Sequence, residues 1–197
     1  MSLRSIRIEG DDILYKISKP VKEIKEREKQ LIADMMETME HEGGCGLAAV
    51  QVGVLKRIFI ANPNDSEDEE EAIEGADNAK NSKQAPKENK VKKEKLLQNG
   101  REIFVFVNPK IIEKSSEEIK DSEGCLSIPK HSGLVSRPKT IKVSAYDENM
   151  KPFELTANDY FARIIMHEYD HLDGILYDSK VKDGEFYELK EDNNKWK

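Results

Sequence analysis

Two histidines four residues apart, His167 and His171, bracket a glutamate in the run His167-Glu168-Tyr169-Asp170-His171. On a helix this spacing stacks both imidazoles on one face, one turn apart, where they can grip a single metal ion. Glu168 stands next to the first histidine and can handle a proton on a water that such an ion activates. The chemistry indicated is hydrolysis. A catalytic metal usually takes three protein ligands and keeps one exchangeable position, so a third donor is needed. Asp170, Asp173, His131, His41, Cys45 and Cys125 are the candidates. Asp170 and Asp173 fall off the histidine face. Cys125 is more attractive, because it follows a glycine in Glu123-Gly124-Cys125-Leu126-Ser127 and a glycine lets the backbone come close.

These residues must be held by something. Thr156-Ala157-Asn158-Asp159 has the form of a capping box that opens a helix running to about Leu172, and Gly174 is a natural stop. Upstream, Thr140 to Tyr146 alternates as a strand should, a turn covers Asp147 to Lys151, and Phe153 to Thr156 is the expected return strand. Leu55 to Ala61 and Ile103 to Val107 are β-rich runs suited to pairing. Leu31, Ile32, Met35, Met36 and Met39 recur at helical spacing and predict an amphipathic helix over Glu26 to His41, closed by Gly43 and Gly44. The methionine stripe is expected to pack in the core. The fold expected is α+β: antiparallel β-sheets around a central helix that carries the histidines, with the N-terminal amphipathic helix packed outside. One domain is expected over 1–197, interrupted at about 64–100.

That interruption has an extreme composition. Asp65 to Asp77 contains eight acids and no base, and Lys80 to Lys95 contains seven lysines against two acids. Almost nothing there could be buried, so a mobile polyampholyte insertion between two strands is expected. Net charge is −7, which gives no long-range attraction to nucleic acid, and no nucleic-acid binding is expected. Two cysteines are too few for a disulfide framework and suit a reducing compartment, where a thiolate is free to bind metal. Met1 to Gly10 has no apolar signal core, and no run approaches the roughly 18 apolar residues of a membrane span. The cytoplasm is the expected location, with no membrane partner.

Three separated motifs together resemble the peptide deformylase family. Gly44-Cys45-Gly46-Leu47-Ala48-Ala49-Val50-Gln51 is similar to the family's GxGLAAxQ, Glu123 to Ser127 matches EGCLS in full, and His167 to His171 fits HExxH and continues as Leu172-Asp173-Gly174. The resemblance implies that Cys125, His167 and His171 bind one divalent metal ion per chain. It favours Fe2+, while a thiolate with two imidazoles also suits Zn2+, Ni2+ or Co2+. It implies that Glu168 shuttles the proton, and that the Gln51 amide and the Leu126 backbone N–H stabilise the oxyanion. Backbone groups of Cys45, Gly46 and Gly124 would pair with an extended substrate, and helix residues near Ile164 would line an apolar pocket for its methionine. The substrate implied is the N-formylmethionyl end of a nascent polypeptide, cleaved to formate and a free amine. Glu123 and Arg137 match family positions that form a buried ion pair bracing the metal loop.

Departures from the pattern are Met166 before the first histidine, Val50, and a Gly10–Leu14 stretch without proline; none is a proposed ligand. Ribosome association is a further expectation for the family, yet Ser179 to Lys197 shows no helical pattern to support it. Two other readings compete. A zinc peptidase would take its third ligand downstream, from Glu185 or Glu188. A non-catalytic scaffold would usually have lost a ligand or the glutamate, whereas all are present.

Overall fold

The computed structural model describes residues 2–63, 96–98 and 101–189. Helix α1 spans Glu26–His41 and begins with the Glu28 carboxylate accepting the Lys25 backbone N–H at 2.9 Å, which satisfies an otherwise orphaned donor. It ends where Gly43 turns to a positive φ of 68° and the Gly44 N–H reaches back to the Met39 carbonyl.

The larger sheet is antiparallel, in the order β1 (Gly46–Ala48), β2 (Ile58–Ala61), β4 (Arg101–Lys114), β7 (Thr140–Tyr146) and β8 (Pro152–Asn158), with β3 (Leu96–Gln98) also on β4. The smaller sheet is a hairpin of β5 (Glu118–Cys125) and β6 (Ile128–Pro138), extended by β9 (Phe186–Glu188). Helix α2, Asp159–Leu172, carries His167, Glu168 and His171.

The apolar runs of β2 and β4 are continuous because both faces of these strands are covered. Ile58, Ile60, Ile103, Val105 and Val107 pack with Leu31, Ile32, Met35, Met36 and Met39 of α1. The alternate residues Phe59, Ala61 and Phe106 pack with Ile164, Ile165, Met166 and Leu172 of α2, with Phe59 stacked on Phe106 at 4.6 Å between ring centroids. A period of two along the strands thus sends successive side chains to opposite helices. The far side of α2 meets the smaller sheet, where Leu14, Ile128, Val135, Leu176 and Tyr177 form a third cluster.

The structure differs from expectation at the entry to α2. Thr156 is a strand residue paired with Lys142, and the β7–β8 ladder runs unbroken to Thr140↔Asn158. The helix starts only at Asp159, after Asn158, with no side-chain cap bond. Ladder hydrogen bonds claim the backbone that a capping box would have used. Residues 46–48 and the β5–β6 hairpin were not expected as strands. The expected insertion at about 64–100 lies largely outside the described residues, but its Leu96–Gln98 portion pairs with Arg101–Ile103 of β4.

The stop of α2 is tightly specified. Gly174 has φ +73, and a Cβ there would meet the carbonyl carbon and oxygen of Tyr15 at 2.6 Å. Gly174→Ala is therefore expected to cost about 1–3 kcal/mol from the left-handed backbone alone, with the backbone clash adding to it. An unchanged urea midpoint would show that this turn is not constrained as described.

Candidate active site

The hairpin of the smaller sheet brings up the first donor. Cys125 pairs with Ile128, which makes Leu126 and Ser127 a two-residue turn at its tip, and a register shift between Gly124 and Cys125 bends the strand. Lys130, at φ 64, sits within that irregularity. The turn delivers the Cys125 thiol to the C-terminal half of α2, with Sγ 3.3 Å from His171 Nε2. The donor atoms of Cys125, His167 and His171 all lie within 4.8 Å of one another. The two imidazoles are 4.9 Å apart between centroids and nearly perpendicular.

The set fits a divalent ion on chemical grounds: one soft thiolate, two borderline nitrogens, and a ring already oriented by an outer partner. His167 Nδ1 is 2.9 Å from the Glu123 carboxylate, so its proton is held there and Nε2 is left as the free lone pair. Burial opposes protonation of both histidines. For His167 the neighbouring Cys125 and Glu123 outweigh it and the pKa is raised; for His171 burial prevails and the pKa is lowered. His171 Nδ1 is buried with no hydrogen-bond partner among the described residues.

Glu123 collects more than one histidine. Arg137 donates Nε and Nη2 to its two oxygens, each at 2.8 Å, and Arg163 Nη1 adds a third bond at 2.8 Å. Burial alone would raise this carboxyl, but Arg137 and His167 hold it well below the usual range. Arg137 also reaches Asp170 at 2.5 Å, and Lys180 reaches the same carboxylate at 2.7 Å. Arg163 is anchored further by the carbonyls of Val135 and Ile119, at 2.8 and 2.7 Å. The Glu123–Arg137 pair expected from sequence is thus present, enlarged by Arg163 and Asp170, which were not anticipated.

Glu168 is sealed in, with Oε2 buried and without a hydrogen-bond partner among the described residues. Burial raises its pKa to about 7, His167 opposing and Glu123 and Asp170 adding to the shift. Its side chain lies against Gly46: a Cβ on that glycine would come within 2.8 Å of Glu168 Cγ and Cδ. Gln51 sits in a 3-10 turn, Ala49–Val52, that ends at Gly53 with φ 81°. The Gln51 Oε1 accepts the Ala48 N–H at 2.8 Å, and Nε2 faces Ser127 Oγ at 3.2 Å and Cys125 Sγ at 3.5 Å.

Strand β1 has β2 on one side and no strand on the other among the described residues. The Cys45 carbonyl accepts the Asn62 N–H, so that acceptor is spent inward, and alternation turns the N–H and C=O of Gly46 to the open edge. The Cys45 thiol lies 3.6 Å from the Tyr160 hydroxyl. A cavity of about 200 Å³ opens beside α2, with Ile119, Asp121, Tyr160 and Arg163 among its lining residues. Its walls are therefore partly charged, unlike the apolar pocket expected near Ile164. Ile164 itself is buried in the core between α2 and the larger sheet. Gly124 has only ordinary contacts where a Cβ would stand, the nearest at 3.5 Å.

The remaining ligand candidates are engaged elsewhere. Asp173 pairs with Arg57 at 2.6 Å, His131 stacks on Phe186, and His41 is an exposed neighbour of Glu42. Glu185 pairs with Lys120, and Glu188 lies exposed on β9 opposite His131. Arg163 could have been noticed in the sequence as the one Lys or Arg within the span of α2.

Two measurements test this arrangement. Glu123→Ala strands two buried guanidiniums and a histidine proton, whereas Arg137→Met leaves Glu123 with Arg163. Arg137→Met is expected to cost about 3 kcal/mol and Glu123→Ala about 5 kcal/mol or more in urea denaturation; equal losses would contradict the shared role of Glu123. Gly46→Ala is expected to displace Glu168 and lower turnover roughly 100-fold, within the range for a misplaced proton-transfer group. Turnover at the wild-type rate would show that the glycine contact is slack.

The sequence model of the family described as polypeptide deformylase matches residues 3–186. A peptide deformylase of Lachnoclostridium phytofermentans is 41% identical over 189 residues, covering 96% of this chain and 94% of the relative. One from Rickettsia akari is 42% identical over 176 residues, covering 89% and 86%. Among solved structures, peptide deformylase from Ehrlichia chaffeensis in complex with actinonin superposes with a TM-score of 0.73 at 33% identity, covering 93% of this chain and 91% of that one. The Thermotoga maritima peptide deformylase gives 0.71 at 30% identity, covering 91% and 98%.

Proposed function

The chain belongs to the polypeptide deformylase family and is a metallohydrolase that removes the N-formyl group from nascent peptides; from that premise we propose how its own residues carry out the reaction. The observation that carries the proposal is the convergence of Cys125, His167 and His171 beside a buried glutamate with an unpartnered oxygen.

Cys125, His167 and His171 would hold a divalent metal, for which Fe2+ is the family's preference and Zn2+, Ni2+ and Co2+ suit the same donors. Such an ion would supply Lewis-acid chemistry at this site. The peptide lies extended along the open edge of β1 and pairs with Gly46, and Gly124 on the facing hairpin offers a second set of backbone groups. Such pairing reads the main chain and tolerates many sequences. Glu168 takes the proton from the attacking water and returns it to the departing amine nitrogen. Its raised pKa, about 7, lets one carboxyl do both at neutral pH. The Gln51 amide and the Leu126 N–H donate to the oxyanion that forms at the formyl carbon. The carbon–nitrogen bond then breaks, and formate and a free α-amine leave.

The cavity lined by Tyr160 and Arg163 is linked to the start of β1 by Tyr160, whose hydroxyl lies 3.6 Å from Cys45 Sγ, and it is assigned to the methionine side chain. No helix is long and apolar enough to cross a membrane among the described residues, and a cytoplasmic setting agrees with a thiolate ligand that oxidation would destroy.

The test is formate release from formyl-Met-Ala-Ser by protein purified without oxygen, scored per bound ion. Glu168→Gln is expected to keep its metal and lose at least roughly 100-fold in kcat. Removal of the metal by chelation is expected to abolish release. Internal peptide cleavage without formate would replace this reading with a peptidase.

A further inference from the structure

Ser127, the second residue of the hairpin turn, is completely buried, and its hydroxyl oxygen lies 3.2 Å from Gln51 Nε2. The terminal torsion of a glutamine is soft, so its amide plane is set by hydrogen-bond partners rather than by the side chain itself. At one end of the Gln51 amide, Oε1 accepts the Ala48 N–H at 2.8 Å, which decides which end carries the nitrogen. At the other end Nε2 has two hydrogens. One is directed at Ser127 Oγ, which leaves the second on the side of Cys125 Sγ, 3.5 Å away, where the metal ligands converge.

We propose that Ser127 is a positioning residue for catalysis: by accepting one Gln51 N–H it aims the other at the oxyanion. This rests on the reading of Gln51 as an oxyanion donor. The main chains of both residues are anchored independently of this contact, because the Gln51 carbonyl accepts the Arg7 N–H at 2.7 Å and the Ser127 carbonyl accepts the Glu9 N–H at 2.8 Å. Loss of the Ser127 hydroxyl therefore releases the amide plane while the turn stays in place. Ser127 also follows Leu126 directly, so the turn that presents one oxyanion donor through its backbone orients the other through a side chain.

The experiment is a double-mutant cycle on the metal-loaded enzyme, following formate release from formyl-Met-Ala-Ser. Ser127→Ala is expected to lower kcat roughly 10-fold with KM changed less than about two-fold, a fraction of the roughly 100- to 1,000-fold loss for deleting an oxyanion donor outright. Gln51→Ala is expected to lose more, and adding Ser127→Ala to it should change kcat less than about two-fold, because the group being aimed is gone. Metal content and melting temperature of Ser127→Ala should match the wild type. Wild-type kcat in Ser127→Ala, losses that multiply in the double variant, or a loss of bound metal each overturn the proposal while leaving Gln51 untouched. Wild-type kcat in Gln51→Ala overturns the oxyanion reading, and this inference with it.

Discussion

The buried carboxylate of Glu123 is the interaction on which the rest of the site depends. It sits on β5, takes two bonds from Arg137 on β6, and takes one each from Arg163 and His167 on α2. Three elements are thereby locked at one point, and one of the bonds fixes the tautomer of His167, which the proposed function makes a metal ligand. Two guanidiniums and the Lys180 ammonium face the carboxylates of Glu123 and Asp170. A buried cluster of this kind contributes little net stability, since desolvation consumes most of the attraction. Its effect is geometric: α2 can dock on the smaller sheet in only one rotation and one height, and that docking brings Cys125 to the histidines.

The second constraint is the burial of α2 from two sides. Its apolar residues meet the larger sheet, and its polar face meets the hairpin through the arginine network. The pattern follows from the helix itself. Ile164, Ile165, Met166 and Leu172 supply the adhesive surface, while Arg163, His167 and Asp170 lie on the side that the apolar surface leaves over. Glu168 has no such partner. It is buried because Gly46 has no side chain to keep it away, and that burial is what raises its pKa.

Much of this was legible from residue order alone. The extent of α1 and the end of α2 follow from apolar spacing and from Gly43 and Gly174, because these signals are local. The α+β character follows from the same patterns. The β5–β6 hairpin was hidden because residues such as Lys120, Asp121 and Ser122 face solvent and leave no apolar alternation to count. The entry of α2 was misplaced because Thr156 to Asp159 satisfies a local rule that a non-local ladder overrides. At the site, motif resemblance pointed to Cys125, His167 and His171, which converge, and to the Glu123–Arg137 pair. Arg163 and Asp170 entered only with tertiary contacts: Asp170 looked useless when judged as a ligand, and its value lies in holding an arginine instead.

The open edge of β1 has a consequence beyond catalysis. A strand with unsatisfied backbone groups on one side is a template for any extended chain, including the same strand of another molecule. Evolution commonly blunts such edges with charge or proline, but either would also repel a peptide meant to lie there. Here the protection is brevity. The strand is three residues long, preceded by Gly43 and Gly44 and followed at once by the 3-10 turn at Ala49. Two copies laid edge to edge could exchange only a few hydrogen bonds, too few to hold against the entropy of association. A substrate bound as proposed would have the same few bonds and would add the facing hairpin, so the surface would be adhesive toward its guest and indifferent toward itself.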